Sequence, residues 1–364
     1  CYMDNFGACL QAYALQHSIE KAGCYCEIVR YTPIRNLKYH SLPVKIGMKF
    51  RNYILSYKIE SYKYLNSQRK YFERFRNDYL KFSKEYYDEM DDLYKNPPKY
   101  DCFVAGSDQI WNPYLYGNTN NKAYFLDFVP NEKKRIAYAP SIGLSKIPES
   151  CKKDMANLIN KLDAVSVREL DGKKIVEQIS DKECRVVLDP TLLLTKQEWI
   201  ELIDKRIIKK PYIFCYLFSE REYIGKFVEY ASKQLGYDVV TIPFTQREYK
   251  SAYKKIKNAG PKEFVNLIKN AELVITDSFH ATAFSINLNV PFYSLLRNAE
   301  NEENNMNSRI FSILNMTELE DRLIDSEEKF PQKINLIIDF SRANATLDKK
   351  RKEDFEFLKS SLEE

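Results

Sequence analysis

Glu272-Leu-Val-Ile-Thr-Asp-Ser-Phe-His-Ala-Thr-Ala-Phe-Ser-Ile-Asn-Leu-Asn-Val-Pro-Phe-Tyr-Ser-Leu-Leu296 reads as a buried strand, a polar turn, a helix of small residues and a second buried strand. Leu273, Val274 and Ile275 form the short apolar run of a strand covered on both faces, and Pro291 to Leu295 opens another after the helix. In open parallel sheets ligands collect at the carboxyl ends of strands and at helix amino termini. Asp277, Ser278 and His280 fall there, and His280 is one of only three histidines in the chain. A plainer reading stays open, in which Asp277 and Ser278 cap the helix and His280 packs satisfied beneath a loop.

Working outward, 364 residues exceed the usual size of a single core, so two domains are expected. Glycine is scarce, at 10 residues, which argues against long flexible linkers and low-complexity segments. A net charge of +5 is small for this length, so bulk nucleic-acid binding is not indicated. The eight cysteines are scattered without a CxxC pair and read as reduced, mostly buried thiols. Cys24-Tyr-Cys26 has neither the spacing nor the histidines of a zinc site, so no metal is expected. No apolar run approaches the roughly 18 residues of a membrane span, and no leader pattern is visible, so a cytoplasmic location is expected.

The chain starts at Cys1 without a methionine and runs at once into turn chemistry at Asn5 to Gly7 and a helical spacing at Leu10, Tyr13, Ala14 and His17. This resembles the loop and first helix after a strand that lies upstream, with Cys26 to Tyr31 as the next strand. Residues 45–84 differ, with eleven Lys or Arg against three acids and with Phe72, Phe75, Tyr79 and Phe82 at helical steps. They read as a basic amphipathic helical insertion, spanning about 45–95. It either braces the fold or contacts an anionic membrane surface or a lipid-linked substrate. Alternation then resumes with strands near 100–104, 135–139, 164–167 and 185–188, each delivering polar residues at its carboxyl end. Asp189-Pro190-Thr191 marks the expected boundary, and strands near 212–218 and 238–243 restart the pattern. The predicted architecture is α/β. It has two Rossmann-like domains, 1–190 and 191–340, in a glycosyltransferase-B-like arrangement with the helical insertion in the first, followed by a terminal helix over 341–364.

Several blocks together resemble one family, the polysaccharide pyruvyl transferases. They are Asn5-Phe-Gly-Ala-Cys-Leu-Gln-Ala-Tyr-Ala-Leu-Gln16, Gly106-Ser-Asp-Gln-Ile-Trp-Asn112, Tyr138-Ala-Pro-Ser-Ile-Gly143, Ser166-Val-Arg-Glu169, Leu188-Asp-Pro-Thr191 and Thr276-Asp-Ser-Phe-His-Ala281. Each block alone is weak, but six in order across both halves are fairly specific. The resemblance implies transfer of the pyruvyl group of phosphoenolpyruvate to a sugar of a cell-surface glycan precursor, forming a ketal that bridges two hydroxyls. It implies the donor between two lobes, no metal or organic cofactor, and a saccharide acceptor that can be lipid-linked, which would bring the protein to the inner membrane surface. The family commonly has an arginine two residues before the histidine of the last block. Ser278 stands there in this chain, which leaves open a different anion clamp or a different donor. A nucleotide-sugar glycosyltransferase of the same architecture, or a noncatalytic relative, are the alternatives. The oligomeric state is not readable.

Phosphoenolpyruvate carries about three negative charges near neutral pH, so its pocket needs guanidinium forks or helix amino termini. Arg168, directly after a buried strand and matching the family's Ser-Val-Arg, is the first donor-binding candidate, against the plainer reading of pairing with Glu169. Arg309 is the second, and Ser278 and Phe279 add the start of the helix. Ketal formation needs a general acid for the methylene carbon, and His280 is the family-matching histidine. Asp277 is the candidate to orient it or to activate the acceptor. His17 reads as packed core, and His40 follows a polar loop. For the acceptor, Asp108 and Trp111 are candidates to meet sugar hydroxyls and a sugar face, with Asn5 from the opening loop.

Overall fold

The computed structural model describes residues 4–32, 48–298 and 307–363, the side chains of 48–63 excepted. Its strands are β1 Ile28–Tyr31, β2 Phe82–Tyr87, β3 Cys102–Ala105, β4 Lys134–Ala137, β5 Ala164–Val167, β6 Arg185–Val186, β7 Tyr212–Tyr216, β8 Asp238–Thr241, β9 Lys254–Lys255, β10 Leu273–Thr276, β11 Phe292–Leu295 and β12 Leu323–Ile324. Every pairing among them is parallel.

The second half carries the doubly wound order β12-β11-β10-β7-β8-β9, with β7 and β10 adjacent at the centre. All residues of β7, β10 and β11 are buried, as their unbroken apolar runs require when helices cover both faces. Alternate residues feed two cores. Phe214, Val274 and Phe292 face one, while Ile213, Ile275 and Tyr293 face the other. The order reverses between β7 and β10, and this switch point is where an open sheet leaves a crevice. The helix Phe279–Leu288 that follows β10 is buried on all sides and ends on Asn289 in the left-handed region, φ 55°.

The first half holds a four-stranded sheet of order β3-β4-β5-β6, and β1 pairs with β2 in a separate two-stranded sheet. Here the sequence reading needs correction, because β2 lies inside the stretch taken as a helical insertion. Its partner β1 was expected to join the main sheet. The long helix Met48–Tyr79 does form, and its aromatic stripe acts as a brace, with Phe72 and Phe75 buried.

The first helix, Phe6–Lys21, packs across to the second half. Phe6 stacks on Phe264 at 4.9 Å between ring centroids and lies 4.8 Å from Phe72. His17 in this helix is not core, contrary to expectation: its side chain is 43% exposed and its Nε2 lies 4.0 Å from Glu198. His40 lies outside the described residues. The terminal helix Ser341–Glu363 returns to tie both halves. Asp354 accepts from the Leu188 N–H at 2.8 Å, and Arg351 donates to the Leu192 carbonyl at 2.8 Å and to Asn287 Oδ1 at 2.7 Å. Carboxyl ends of strands from both large sheets meet, Arg168 after β5 standing 4.3 Å from the Phe279 ring after β10, as a glycosyltransferase-B-like arrangement requires. Among the described residues seven cysteines are free of disulfides, and no helix is long and apolar enough to cross a membrane.

Candidate active site

Strand ends from both halves meet around Arg168. The residue follows β5, and its side chain is 1% exposed. Its Nη1 donates to Asp189 Oδ2 at 2.7 Å and to Ser107 Oγ at 3.3 Å, and its Nη2 lies 3.7 Å from Asp108 Oδ1. The guanidinium carbon sits 4.3 Å from the centroid of the Phe279 ring. Arg168 thus spans the cleft, with carboxylates of the first half on one side and a second-half aromatic face on the other. Its Nε and Nη2 have no hydrogen-bond partner although both are buried.

Glu169 forms a loose ion pair with Arg168, so the plain reading holds in part, but its main hydrogen bonds go elsewhere. One oxygen, Oε1, accepts from Ser141 Oγ at 3.0 Å and from the Ile142 and Gly143 N–H groups at 2.8 Å each, which fastens the loop after β4. The other oxygen lies 3.8 Å from Arg168 Nε, beyond hydrogen-bond reach. Asp189, read from sequence as a domain boundary, makes the closer, hydrogen-bonded pairing. It also accepts from Thr191 and Ser107, and His280 and Arg168 outweigh its burial to hold its carboxyl down to about 2.

His280 opens the helix after β10, buried beneath the first helix. Its Nε2 points to Asp189 Oδ2 at 3.8 Å and has no hydrogen-bond partner. Burial, reinforced by Arg168 and Arg309, pushes the imidazole below its ordinary value, while Asp189 and Asp108 pull the other way. Room for the ring depends on Gly7, where an added Cβ would stand 2.0 Å from His280 Nδ1. Gly7→Ala is therefore expected to displace the ring at an overpacking cost of about 1–3 kcal/mol, opposite in sign to the helix-propensity gain of about 1 kcal/mol. Comparative denaturation would measure it, and a Gly7→Ala protein clearly more stable than the wild type would sink this placement.

Asp277 does not contact His280. Its carboxylate accepts from the Phe218 N–H at 2.9 Å and the Ser219 N–H at 2.8 Å, closing the switch point between β7 and β10. Arg297, at the end of β11, donates to the Asp277 carbonyl at 3.1 Å and stacks over Phe218 at 4.3 Å. Arg309 is buried near the start of the helix Ser308–Thr317. Its pKa is lowered to about 9 by burial and by the charges of Arg168 and Arg297. Asp277, Phe279, Arg297, Asn298, Asn307 and Arg309 line one hollow. Phe279 also lines a neighbouring cavity of about 220 Å³ together with Arg168, Asp189 and Ile313.

The remaining candidates divide. Asp108 stands in the cleft at φ 75°, its side chain 29% exposed, with Arg168 beside it. Ser278 precedes the helix without capping it: its side chain makes no cap bond, and its carbonyl accepts from Thr282. Asn5 is occupied as the cap of the first helix, its Oδ1 accepting from the Ala8 N–H at 3.0 Å. Trp111 cannot offer a face to a sugar. It is 1% exposed, stacked on Phe125 at 4.8 Å, with its indole N–H bound to the Tyr124 carbonyl. Sequence reading missed Ser107, Asp189 and Arg297. The rule that found Arg168, a polar residue just past a buried strand, applied equally to Arg297 after β11.

The sequence matches the polysaccharide pyruvyl transferase family model over residues 5–298. The chain belongs to the polysaccharide pyruvyl transferase family. No curated protein matches it significantly. Among solved structures it is similar to the UDP-GlcNAc 2-epimerase of Methanocaldococcus jannaschii, at 14% identity and TM-score 0.43, covering 84% of this chain and 88% of that one. The Neisseria meningitidis UDP-GlcNAc 2-epimerase bound to UDP-GlcNAc aligns at 12% identity and TM-score 0.42, covering 96% and 98%. An E. coli heptosyltransferase with an ADP-heptose analogue aligns at 9% and 0.37, covering 84% and 93%. As a family member the protein is a transferase. Four separate stretches within the matched range supply the cleft residues Ser107, Asp108, Arg168, Asp189 and His280.

Proposed function

We propose that the protein transfers the pyruvyl group of phosphoenolpyruvate to two hydroxyls of a sugar. The observation that carries the reading is His280 Nε2, buried and without a hydrogen-bond partner among Arg168, Arg309 and Asp189. That is the environment of a proton donor waiting for an anion.

The resting site holds His280 neutral, because burial and two guanidinium groups oppose its charge. A bound trianion reverses the balance and favours the imidazolium. The imidazolium gives its proton to the methylene carbon of the donor, turning it into a methyl group and leaving cationic character at the adjacent carbon. An acceptor hydroxyl bonds to that carbon and its proton passes to Asp108. The carbon–oxygen bond to phosphate then breaks, a second hydroxyl closes the ketal as its proton passes to the released phosphate, and inorganic phosphate leaves. No metal or organic cofactor takes part in this scheme. Arg297 and Arg309, lining the same hollow, supply the anion clamp that Ser278 cannot. A lipid-linked acceptor, a cytoplasmic location and contact of the exposed Arg69, Lys70 and Arg74 with the inner membrane surface belong to the same proposal.

Calorimetry with phosphoenolpyruvate at pH 7.5, in buffers of different ionisation enthalpy, tests it. The sign follows from the lowered resting value: above it, binding must draw about one proton from solution. Binding without proton uptake would remove His280 from the acid role. Preferential binding of uridine or guanosine diphosphate would move the protein to nucleotide-sugar chemistry.

A further inference from the structure

Three tyrosines that the donor chemistry does not use cluster beside the loop that carries Asp108 and Trp111. Tyr31 ends β1, Tyr116 ends the single turn Pro113–Tyr116, and Tyr124 lies in the turn Lys122–Phe125. All three residues are half-buried rather than sealed in the core. The Tyr124 ring stands 5.9 Å from Tyr116 and 6.3 Å from Tyr31.

Their loops are fixed rather than loose. Asn112 and Asn121 cap the two turns, accepting from the Tyr114 and Ala123 N–H groups at 3.1 and 3.2 Å. Trp111 braces the group from below, its indole N–H bound to the Tyr124 carbonyl at 3.0 Å. The segment that holds Trp111 begins with Asp108, whose carboxylate lies close enough to raise the pKa values of Tyr116 and Tyr124, adding to the larger effect of burial. The Tyr124 hydroxyl is pushed up to about 12, so it stays protonated.

We propose that Tyr31, Tyr116 and Tyr124 form the shelf on which the acceptor sugar stacks, with its reacting hydroxyl directed to Asp108. This rests on the pyruvyl-transfer reading and specifies its acceptor side. Aromatic faces receive the C–H faces of a pyranose ring, phenol hydroxyls bind its oxygens, and Asp108 is partly exposed where the hydroxyl must lose its proton. Trp111, the aromatic residue that the sequence favoured for this task, supports the shelf from inside.

Saturation-transfer NMR with the methyl glycosides of galactose, glucose, mannose and N-acetylmannosamine provides the test, with phosphoenolpyruvate calorimetry on the same samples. At least one glycoside is expected to bind the wild type, and Tyr116→Ala and Tyr31→Ala are each expected to weaken it by about threefold to tenfold. Phosphoenolpyruvate affinity should stay within about twofold in both variants, since neither ring touches the guanidinium cluster. No glycoside binding to the wild type, unchanged binding in both variants, or loss of phosphoenolpyruvate affinity with either substitution would each overturn the shelf. A wild-type protein that binds a glycoside in this tyrosine-dependent way but no phosphoenolpyruvate would instead remove the pyruvyl-transfer reading and leave the sugar shelf standing.

Discussion

Arg168→Ala is expected to lower folding stability by about 3–5 kcal/mol, because one member of a buried ion pair is removed while the other remains. The stranded partner is Asp189, fully buried and 2.7 Å from the lost guanidinium. Ser107 and Asp108 lose the same neighbour. The pH dependence follows from the sign of the shift on Asp189. Its folded value, about 2, is depressed, so the stabilisation is complete above the unfolded carboxylate value and disappears as pH falls through the folded one. The gap between wild type and variant should therefore be full at pH 7 and narrow below about pH 4. Urea denaturation at several pH values measures it. A double variant with Asp189→Asn should recover part of the loss, because the buried charge goes with its partner. A pH-independent deficit under about 1 kcal/mol would mean that the pair behaves like an exposed salt bridge.

The second large effect concerns rate. His280→Gln should reduce kcat for pyruvyl transfer by about 10²- to 10⁴-fold, the usual contribution of a positioned general acid. Binding of phosphoenolpyruvate should persist, since the guanidinium groups of Arg168, Arg297 and Arg309 remain. Proton uptake on binding should vanish. That combination separates a proton donor from a packing residue, whose loss would reduce stability and affinity together. A variant retaining more than about a tenth of the wild-type rate would place the acid elsewhere.

Much of the scaffold is written locally. Leu273 to Thr276 read as a strand covered on both faces, and all four residues are buried. The aromatic steps at Phe72 and Phe75 fixed which face of the long helix turns inward. The positions of Arg168, Asp277 and His280 past strand ends also followed from local pattern, because the side-chain periods of strand and helix decide where a residue emerges. Local pattern misled at Trp111, where a polar turn suggested exposure but Phe125 and Tyr124 close over the ring. It misled again at Phe82 to Tyr87, which continued a helical spacing yet pairs as a strand with β1.

What the sequence determined by itself was most strands of the two large sheets, the helices between them and the polar residues delivered at the strand ends. All of these arise from interactions within a few residues of chain. The partners were decided by the tertiary structure alone. Ser107 meets Asp189 across 82 residues, Gly7 makes room for His280 from the other half of the protein, and the terminal helix reaches back to Leu188. A side chain's charge and reach are local properties. Whether it caps a helix, pairs in the dark or waits in a cleft depends on which distant segment the folded core brings against it.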